Sequence, residues 1–343
     1  MRHLIDGLAE EHSHNGTNIS FSINLIDAVE RNHVDDVRTC LKKGADVNYR
    51  KRIAYADYYS FTPLMIASYN GYSSLARMLI KAGADINAED DHGFTALIYA
   101  CYNGNTDIVK MLIDAGANIE KRCKHYECTS LIYAAGQGHT NTVSLLIDAG
   151  ADINALSGLG HTALISASKE GHTDIVKLLI NAGADVNFRG SYRQDQPRHR
   201  HCDDTALMTA AFFGKADIVK LLIENGADVN IYDRVSKDTA LMCACDNGYY
   251  CVRGKRVEYE HKKTASARLI LKAGADINAR DVDGYTALMH ACRNGQIDIV
   301  KFLISSGADP TIRDSNGNTA AEIALSLGYV RIANMLMPTG SSS

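Results

Sequence analysis

Residues that could bind a metal ion or act as a nucleophile are concentrated in one short segment. His199, His201, Cys202, Asp203 and Asp204 lie close together, and imidazole, thiolate and carboxylate groups are the ligands that zinc prefers. The H-x-H-C spacing matches no established zinc pattern, and one loop rarely supplies four tetrahedral ligands. A Cys/His catalytic dyad is also disfavoured, because a loop offers neither a rigid pocket nor an oriented base. We therefore predict no metal ligands and no catalytic residues.

The nine cysteines are otherwise scattered and form no CxxC pair. Cys123 and Cys128 could be a redox pair, although a widened hairpin also explains their spacing. Cys101, Cys245 and Cys292 occupy positions where related segments have Ser or Ala, so we expect them to be small buried packing residues. This pattern favours a cytoplasmic or otherwise intracellular, reducing setting. No Gly-rich phosphate loop, GxSxG or HExxH sequence occurs, and we predict no cofactor.

Recurring threonines organise the chain around these groups. They follow one another at intervals of 33, 34, 33, 43, 34, 47 and 33 residues. A period near 33 with a fixed local pattern indicates stacked repeats, in which each unit contacts only its neighbours. The threonines are Thr62, Thr95, Thr129, Thr162, Thr205, Thr239, Thr286 and Thr319.

Each repeat contains signals for two short helices. In residues 90–117, the hydroxyl of Thr95 can cap a helix that ends at Asn103-Gly104. A second helix begins near Thr106 and carries an apolar stripe at helical spacing. Gly116 ends it. The pattern therefore predicts a helix-turn-helix unit followed by a connection to the next threonine.

Two recurring sequences resemble those of the ankyrin repeat family. The first begins at each threonine and reads TPLMIA, TALIYA, TSLIYA, TALISA, TALMTA, TALMCA or TALMHA. The second is Gly-Ala-Asp-(Val/Ile)-Asn. The resemblance covers residues 22–337 and implies an all-α solenoid of helix pairs with β-hairpin fingers, in about nine units including caps. We predict a polar N-terminal segment at 1–21, disordered or forming an extra cap, one repeat domain at 22–338 and a flexible tail at 339–343. The predicted units are near 22–50, 58–88, 91–121, 125–155, 158–188, 201–231, 235–279, 282–312 and 315–338.

One family position departs from its usual residue throughout. The histidine expected three residues after each threonine is replaced by Met or Ile, and by Glu322 in the last unit. Since that histidine normally bonds to neighbouring backbone, we predict that apolar packing replaces a polar cross-tie. These units also resemble those of bacterial and protist ankyrin proteins. A host-directed effector, secreted into a host cytosol, is therefore an open alternative.

The connections before the threonines fall into two groups. Four carry a glycine two residues before the threonine, and the other four have lost it. A hairpin turn that requires a positive φ favours glycine, so we predict a different turn type where it is absent. The glycines are Gly93, Gly160, Gly284 and Gly317, and the replacing residues are Ser60, Glu127, Asp203 and Lys237.

Three insertions differ in charge from the rest of the chain. Residues 49–61, 188–203 and 249–263 carry net charges of +2, +2 and +3, whereas the whole chain carries −4. The first two extend fingers, and the third lies between the two helices of its unit. Because the basic segments are dispersed on an acidic protein, a continuous nucleic-acid surface is disfavoured. No apolar run reaches the length of a membrane span, so we predict no membrane contact.

The resemblance implies protein recognition, and we predict a non-catalytic scaffold, adaptor or inhibitor that is monomeric by itself. The predicted surface combines the concave face with the fingers at 49–61 and 188–203, because exposed aromatic and arginine side chains anchor interfaces. One of Phe212 and Phe213 is expected to pack inside instead. An enzyme or metal-dependent module built on the insertions is the third alternative. The predicted partner-binding residues are Tyr55, Tyr58, Tyr59, Ile66, Tyr69, Tyr99, Tyr102, Tyr133, Arg193, Arg198, Arg200, Phe212, Phe213, His290 and Arg293.

Overall fold

The computed structural model describes residues 18–52, 60–190, 203–246 and 260–337. The chain divides into two compact units, Met1–Gly158 and Leu159–Ser343. The described residues contain consecutive helix pairs, four in the first unit and five in the second. This confirms the predicted all-α repeat array of nine units.

The first unit is built from helices α1 to α8 and one short hairpin. Strands β1 (Lys51–Arg52) and β2 (Ser60–Phe61) pair antiparallel, with Lys51 opposite Phe61. They form the base of the finger before Thr62. The helices are α1 (18–30), α2 (Val34–Lys42), α3 (Pro63–Asn70), α4 (Ser73–Lys81), α5 (Ala96–Asn103), α6 (Thr106–Asp114), α7 (Ser130–Gln137) and α8 (Thr140–Asp148).

The second unit contains five further pairs. Helix α14 has 13 residues and is longer than the other second helices. The insertion at 249–263 precedes and enters it, which confirms that the inserted segment separates the two helices of one pair. The helices are α9 (Ala163–Glu170), α10 (Thr173–Asn181), α11 (Ala206–Phe212), α12 (Ala216–Glu224), α13 (Ala240–Cys245), α14 (Glu260–Lys272), α15 (Ala287–Arg293), α16 (Ile297–Ser305), α17 (Ala320–Ser326) and α18 (Val330–Leu336).

In each of the eight helix pairs that begin with a recurring threonine, that threonine is the N-cap of the first helix. The Thr95 hydroxyl accepts a hydrogen bond from the Ile98 N–H at 3.3 Å, and the other seven threonines make the same contact. Such a cap stabilises a helix by about 1 kcal/mol. Capping therefore gives a physical reason for the threonine period.

The position three residues after the threonine is not purely apolar. The Met65 sulfur lies 3.5 Å from the Thr62 N–H and accepts a weak hydrogen bond. The methionines after Thr205 and Thr239 repeat this contact. Met65, Met208 and Met242 are all buried, so the predicted apolar packing at this position is confirmed for these three units. The weak bond from the threonine N–H to the thioether within the same repeat adds to that packing.

The second helices supply the stripe that buries the core. In α6, Ile108, Val109 and Leu112 are fully buried. Between the two helices of that pair, Gly104 has φ +71, and a Cβ at this position would overlap the ring of His139 in the next repeat. A side chain there would meet both a strained backbone and that ring, so glycine ends the first helix.

An asparagine side chain links successive repeats. The Asn87 carbonyl oxygen accepts from the Asn118 N–H at 2.7 Å, and its amide donates to the Gly116 carbonyl at 3.4 Å. Asn187 and Asn230 make the equivalent pair of bonds in the second unit. The last residue of the Gly-Ala-Asp-(Val/Ile)-Asn pattern therefore satisfies backbone groups that stacking would otherwise leave unpaired.

The fingers that lack the turn glycine keep its backbone conformation in two cases. Glu127 and Lys237 have φ of 47° and 59°, in the left-handed region. These two fingers are nevertheless one residue wider: Cys123 N–H bonds to the Cys128 carbonyl, whereas Asp90 N–H bonds to the Phe94 carbonyl. The predicted difference in turn type is therefore confirmed for both fingers as a wider hairpin, but the prediction that loss of the glycine removes the positive φ is wrong for them. The turns before Thr62 and Thr205 lie outside the described residues. The four retained glycines all have positive φ: Gly93, Gly160, Gly284 and Gly317.

Candidate functional site

A continuous set of aromatic rings runs along the first helices of the first unit. Tyr69 lies edge-on to Tyr99, with ring centroids 5.8 Å apart. Phe94 contacts both Tyr99 and Tyr133, at 5.2 Å and 5.5 Å. Tyr102 then lies edge-on to Tyr133 at 5.7 Å. We call Tyr69, Tyr99, Phe94, Tyr133 and Tyr102 the aromatic ladder. Each of its contacts has a geometry that adds to the apolar burial.

The ladder presents two rings to solvent, buries Tyr99 and leaves Phe94 and Tyr133 half-buried. The exposed fraction is 49% for Tyr69 and 39% for Tyr102, but 7% for Tyr99. Both exposed tyrosines lie seven residues after a repeat threonine, while Tyr99 lies four residues after Thr95 and is covered by its own finger. An exposed ring that packs on neighbouring rings has restricted rotamers, and it is suited to bind a partner with little loss of entropy.

Hydrogen bonds to the fingers fix the inner rings of the ladder. The Tyr99 hydroxyl donates to the buried Asp90 carboxylate at 2.5 Å. The Tyr133 hydroxyl lies 3.3 Å from the Cys123 sulfur. In each case the finger and the helix that follows it belong to one repeat. These contacts connect the position of each finger to the orientation of the rings.

The structure corrects the predicted exposure of four binding residues. Ile66, Tyr99, Phe212 and His290 are 8%, 7%, 5% and 2% exposed, so their side chains do not form a free surface. Three of them lie four residues after a threonine, under the finger. Burial of Phe212 confirms that one of the two adjacent phenylalanines packs inside. Tyr133 is half-buried, and partner binding by the accessible residues stays a prediction.

In the repeat that begins at Thr286, the residue four positions after the threonine is His290. Its Nε2 lies 3.0 Å from Asp281 Oδ2 and 3.8 Å from Asp238 Oδ1. Arg293 lies 3.3 Å from its Nδ1 and 3.6 Å from Asp246. Because a guanidinium is only a donor, Nδ1 accepts and the proton lies on Nε2, toward Asp281.

Among the described residues, Asp238, Asp281 and His290 are the group that could hold a metal ion. One ligand atom from each of Asp238, Asp281 and His290 lies within 4.8 Å of the others. Ligation through Nε2 would require the proton to move to Nδ1, against Arg293. The arrangement is therefore satisfied as a hydrogen-bonded cluster.

A lysine lies beside each of two adjacent phenylalanines, Phe212 at the end of α11 and Phe213 directly after it. The half-buried Phe213 has Lys169 Nζ 5.9 Å from its ring centroid. Lys263 Nζ lies 4.8 Å from the Phe212 centroid and donates to the Asp246 carbonyl. Burial lowers the pKa of Lys263. Lys263 belongs to the basic insertion at 249–263, yet its side chain is buried.

Several predicted residues lie outside the described part of the chain. They comprise the finger-insertion residues Tyr55, Tyr58, Tyr59, Arg193, Arg198 and Arg200, together with His199, His201 and Cys202. Asp203 and Asp204, from the metal-like segment, are described and buried. Asp203 accepts from the Arg234 N–H at 2.9 Å and so serves the neighbouring finger.

Sequence reasoning missed two aspartates: Asp90, which binds the Tyr99 hydroxyl, and Asp281, which binds the His290 imidazole. Asp90 and Asp281 each lie five residues before a threonine, and each meets a side chain nine residues later. The spacing of Asp to Tyr99 and of Asp to His290 was visible in the sequence. It becomes informative only when the finger is known to fold over its own helix.

Comparison with known families agrees with this architecture. The sequence model of the family described as Ankyrin repeats (3 copies) matches residues 25–123, 120–190, 192–254 and 257–342. Because these matches cover most of the chain, the chain belongs to the ankyrin repeat family. Membership indicates a protein-interaction module.

Curated relatives match only short stretches. A mitochondrial disaggregase of Bos taurus is 40% identical over 67 residues, which is 20% of this chain and 9% of that protein. A putative ankyrin repeat protein of Fowlpox virus (strain NVSL) is 41% identical over 63 residues, 18% of this chain and 17% of that protein. A probable E3 ubiquitin-protein ligase of Oryza sativa subsp. japonica is 53% identical over 36 residues, which is 10% of this chain and 7% of that protein. The chain thus spans less than a fifth of the length of each.

Across the described ranges, every helix is too short or too polar to span a bilayer.

Proposed function

We propose that the chain is a non-catalytic recognition module that captures a protein partner on the aromatic ladder. The observation that carries this proposal is the exposure of Tyr69 and Tyr102 in front of rings that are fixed by Asp90 and Cys123. Tyrosine is enriched at the energetic centres of interfaces because it buries a large area with few rotatable bonds.

The order of the contacts favours a partner that lies along the repeats. Tyr69 and Tyr102 occupy equivalent positions in successive repeats, and Tyr99 and Tyr133 support them. A partner that follows the stacking direction would contact both exposed rings in turn. Scaffold, adaptor and inhibitor functions all use such a surface. We further propose that the basic fingers at 49–61 and 188–203 extend it.

The test is comparative affinity capture with the wild-type chain and a Tyr69→Ala/Tyr102→Ala variant. Proteins retained by the wild type should be lost by the variant, because truncating two interface anchors weakens binding by about 100-fold or more. Tyr232→Ala is the matched control, since Tyr232 is 48% exposed and belongs to the second unit, whereas the ladder belongs to the first.

Retention of every captured protein by the double variant would contradict the proposed surface. Circular dichroism of both variants checks that the fold is intact. A loss in the Tyr232 control equal to that in the double variant would also count against the ladder, because it would show that any exposed tyrosine has the same effect.

A further inference from the structure

Two thiols meet in the wide finger before Thr129. The Cys123 N–H donates to the Cys128 carbonyl at 3.2 Å, so these residues face each other across the hairpin. The Cys128 thiol donates to the Tyr126 carbonyl at 3.6 Å, and the Tyr133 hydroxyl lies 3.3 Å from the Cys123 sulfur. Both cysteines are free. The hairpin therefore places the two cysteines opposite each other.

The finger is fixed on both sides by its neighbours. The Lys124 N–H donates to the His92 carbonyl at 2.7 Å, and the Gly158 N–H donates to the Tyr126 carbonyl at 2.7 Å. Cys123 is 1% exposed, whereas Cys128 is half-buried. A small reagent in solution can thus reach Cys128, with Cys123 directly behind it.

The environment of Cys123 favours its thiolate. The adjacent Cys128 thiol and the Tyr133 hydroxyl lower the pKa of Cys123 to about 5, although burial opposes this change. The same coupling and burial raise the pKa of Cys128, and burial raises the pKa of Cys101, Cys245 and Cys292. When Cys123 is ionised, the one remaining thiol proton of the pair is on Cys128. Thiolates are the nucleophiles in disulfide exchange.

We propose that Cys123 and Cys128 form a thiol modification site, which a low-molecular-weight disulfide converts to an intrachain disulfide. Cys128 passes its proton to Cys123 while its sulfur attacks the reagent, so that the reagent's S–S bond breaks and one thiolate leaves. Cys123 then loses the proton to that thiolate, attacks the Cys128 sulfur and expels the second thiolate. The two cysteines lose two electrons, and the reagent gains them as one thiol and one thiolate.

The thiol chemistry is independent of the proposed partner surface, because disulfide formation is measured on the chain alone. The reduced full chain is incubated with oxidised glutathione at neutral pH, quenched with acid and alkylated before peptide mass mapping. A Cys123–Cys128 cross-link should form at least about tenfold faster than any modification of Cys101, Cys245 or Cys292, which serve as internal references.

Two variants separate this chemistry from simple exposure. Cys123→Ser should leave a stable glutathione adduct on Cys128, because the resolving sulfur is gone. Tyr133→Phe should slow cross-linking about threefold and shift its pH midpoint upward, since the thiolate loses a donor. Tyr102→Phe is the matched control and should leave both quantities unchanged.

Three results would overturn the proposal. A glutathione adduct that persists on Cys128 in the wild type would show that the sulfurs cannot join. Reaction of Cys123 and Cys128 no faster than Cys101 would show that the finger protects them. An unchanged rate and midpoint in Tyr133→Phe would show that its hydroxyl does not support the thiolate.

Discussion

The Tyr99 hydroxyl donates to Asp90 Oδ2 at 2.5 Å, while Oδ1 of the same carboxylate accepts from the His92 and Phe94 N–H groups at 2.9 Å and 2.8 Å. One aspartate thus shapes the finger with one oxygen and fixes the following helix with the other. Asp281 and His290 repeat this relationship in the second unit. In these two repeats the bond between finger and helix is made by the side chain one position after that of the usual family histidine.

Tyr99→Phe tests the strength of this cross-tie. The substitution keeps the ring contacts but removes a donor to a buried carboxylate, and we expect the free energy of unfolding to fall by about 2 kcal/mol. Urea denaturation followed by circular dichroism measures the change. The control is Tyr102→Phe, whose exposed ring should show a change within about 0.5 kcal/mol. Equal effects of the two substitutions would indicate that the bond to Asp90 adds nothing.

Glu322 makes the last repeat sensitive to acid. The Thr319 N–H and hydroxyl donate to its carboxylate at 2.6 Å and 2.9 Å and lower its pKa. Because the folded pKa lies below the ordinary value of 4.5, the stabilisation is present above about pH 4.5 and is lost as the pH falls through the folded pKa.

Glu322→Met isolates this effect, because methionine occupies the same position in other repeats and does not titrate. The difference in melting temperature between wild type and variant should favour the wild type at neutral pH and shrink as the pH falls below 4.5. Parallel curves at all pH values would contradict the assignment, since titration of other carboxylates cancels in the difference.

Lys237→Gly should stabilise the wide finger before Thr239. Lys237 has φ 59°, a conformation that costs an L-residue about 1–2 kcal/mol but costs glycine little. After the greater entropy loss of glycine is subtracted, we expect a gain of about 0.5–1 kcal/mol in urea denaturation. Lys237→Ala retains the strain and should give no such gain. If alanine stabilised as much as glycine, backbone strain would not be the cause.

Asn87→Ala should weaken the connection between two repeats. It removes an acceptor for the Asn118 N–H and a donor to the Gly116 carbonyl, so we expect a loss of about 1–3 kcal/mol in the free energy of unfolding. Asn181→Ala is the comparison, at an exposed helix end. A loss of the same size there would show that the effect does not come from stacking.

The sequence was sufficient for the repeat architecture because capping and turn formation are local. Thr95 caps a helix within its own repeat, and Gly104 ends it, so both signals could be read without a structure. The buried cysteines were predicted correctly for the same reason: Cys101 is fully buried at a small-residue position of the repeat. The asparagine links also recur in a fixed pattern.

The candidate site was only partly predictable. Tyr69 and Tyr102 were placed on the surface by helical spacing, and both are exposed. Tyr99 was assigned to the same face, because helical spacing does not show that a finger folds back over that position. The opposite failure concerns Lys263, a basic residue in an insertion that proved to be buried against Phe212.

The sequence by itself therefore determined the family, the helix pairs and the positions of the irregular repeats, since these depend on contacts between residues near one another in the chain. Only the tertiary structure decided which aromatic rings are accessible and which cysteine has a lowered pKa. Those properties depend on how a finger packs on its helix and its neighbours. Tyr133 illustrates the difference. The sequence shows that it lies four residues after Thr129, but its contacts with Cys123 and Tyr102 arise only on folding.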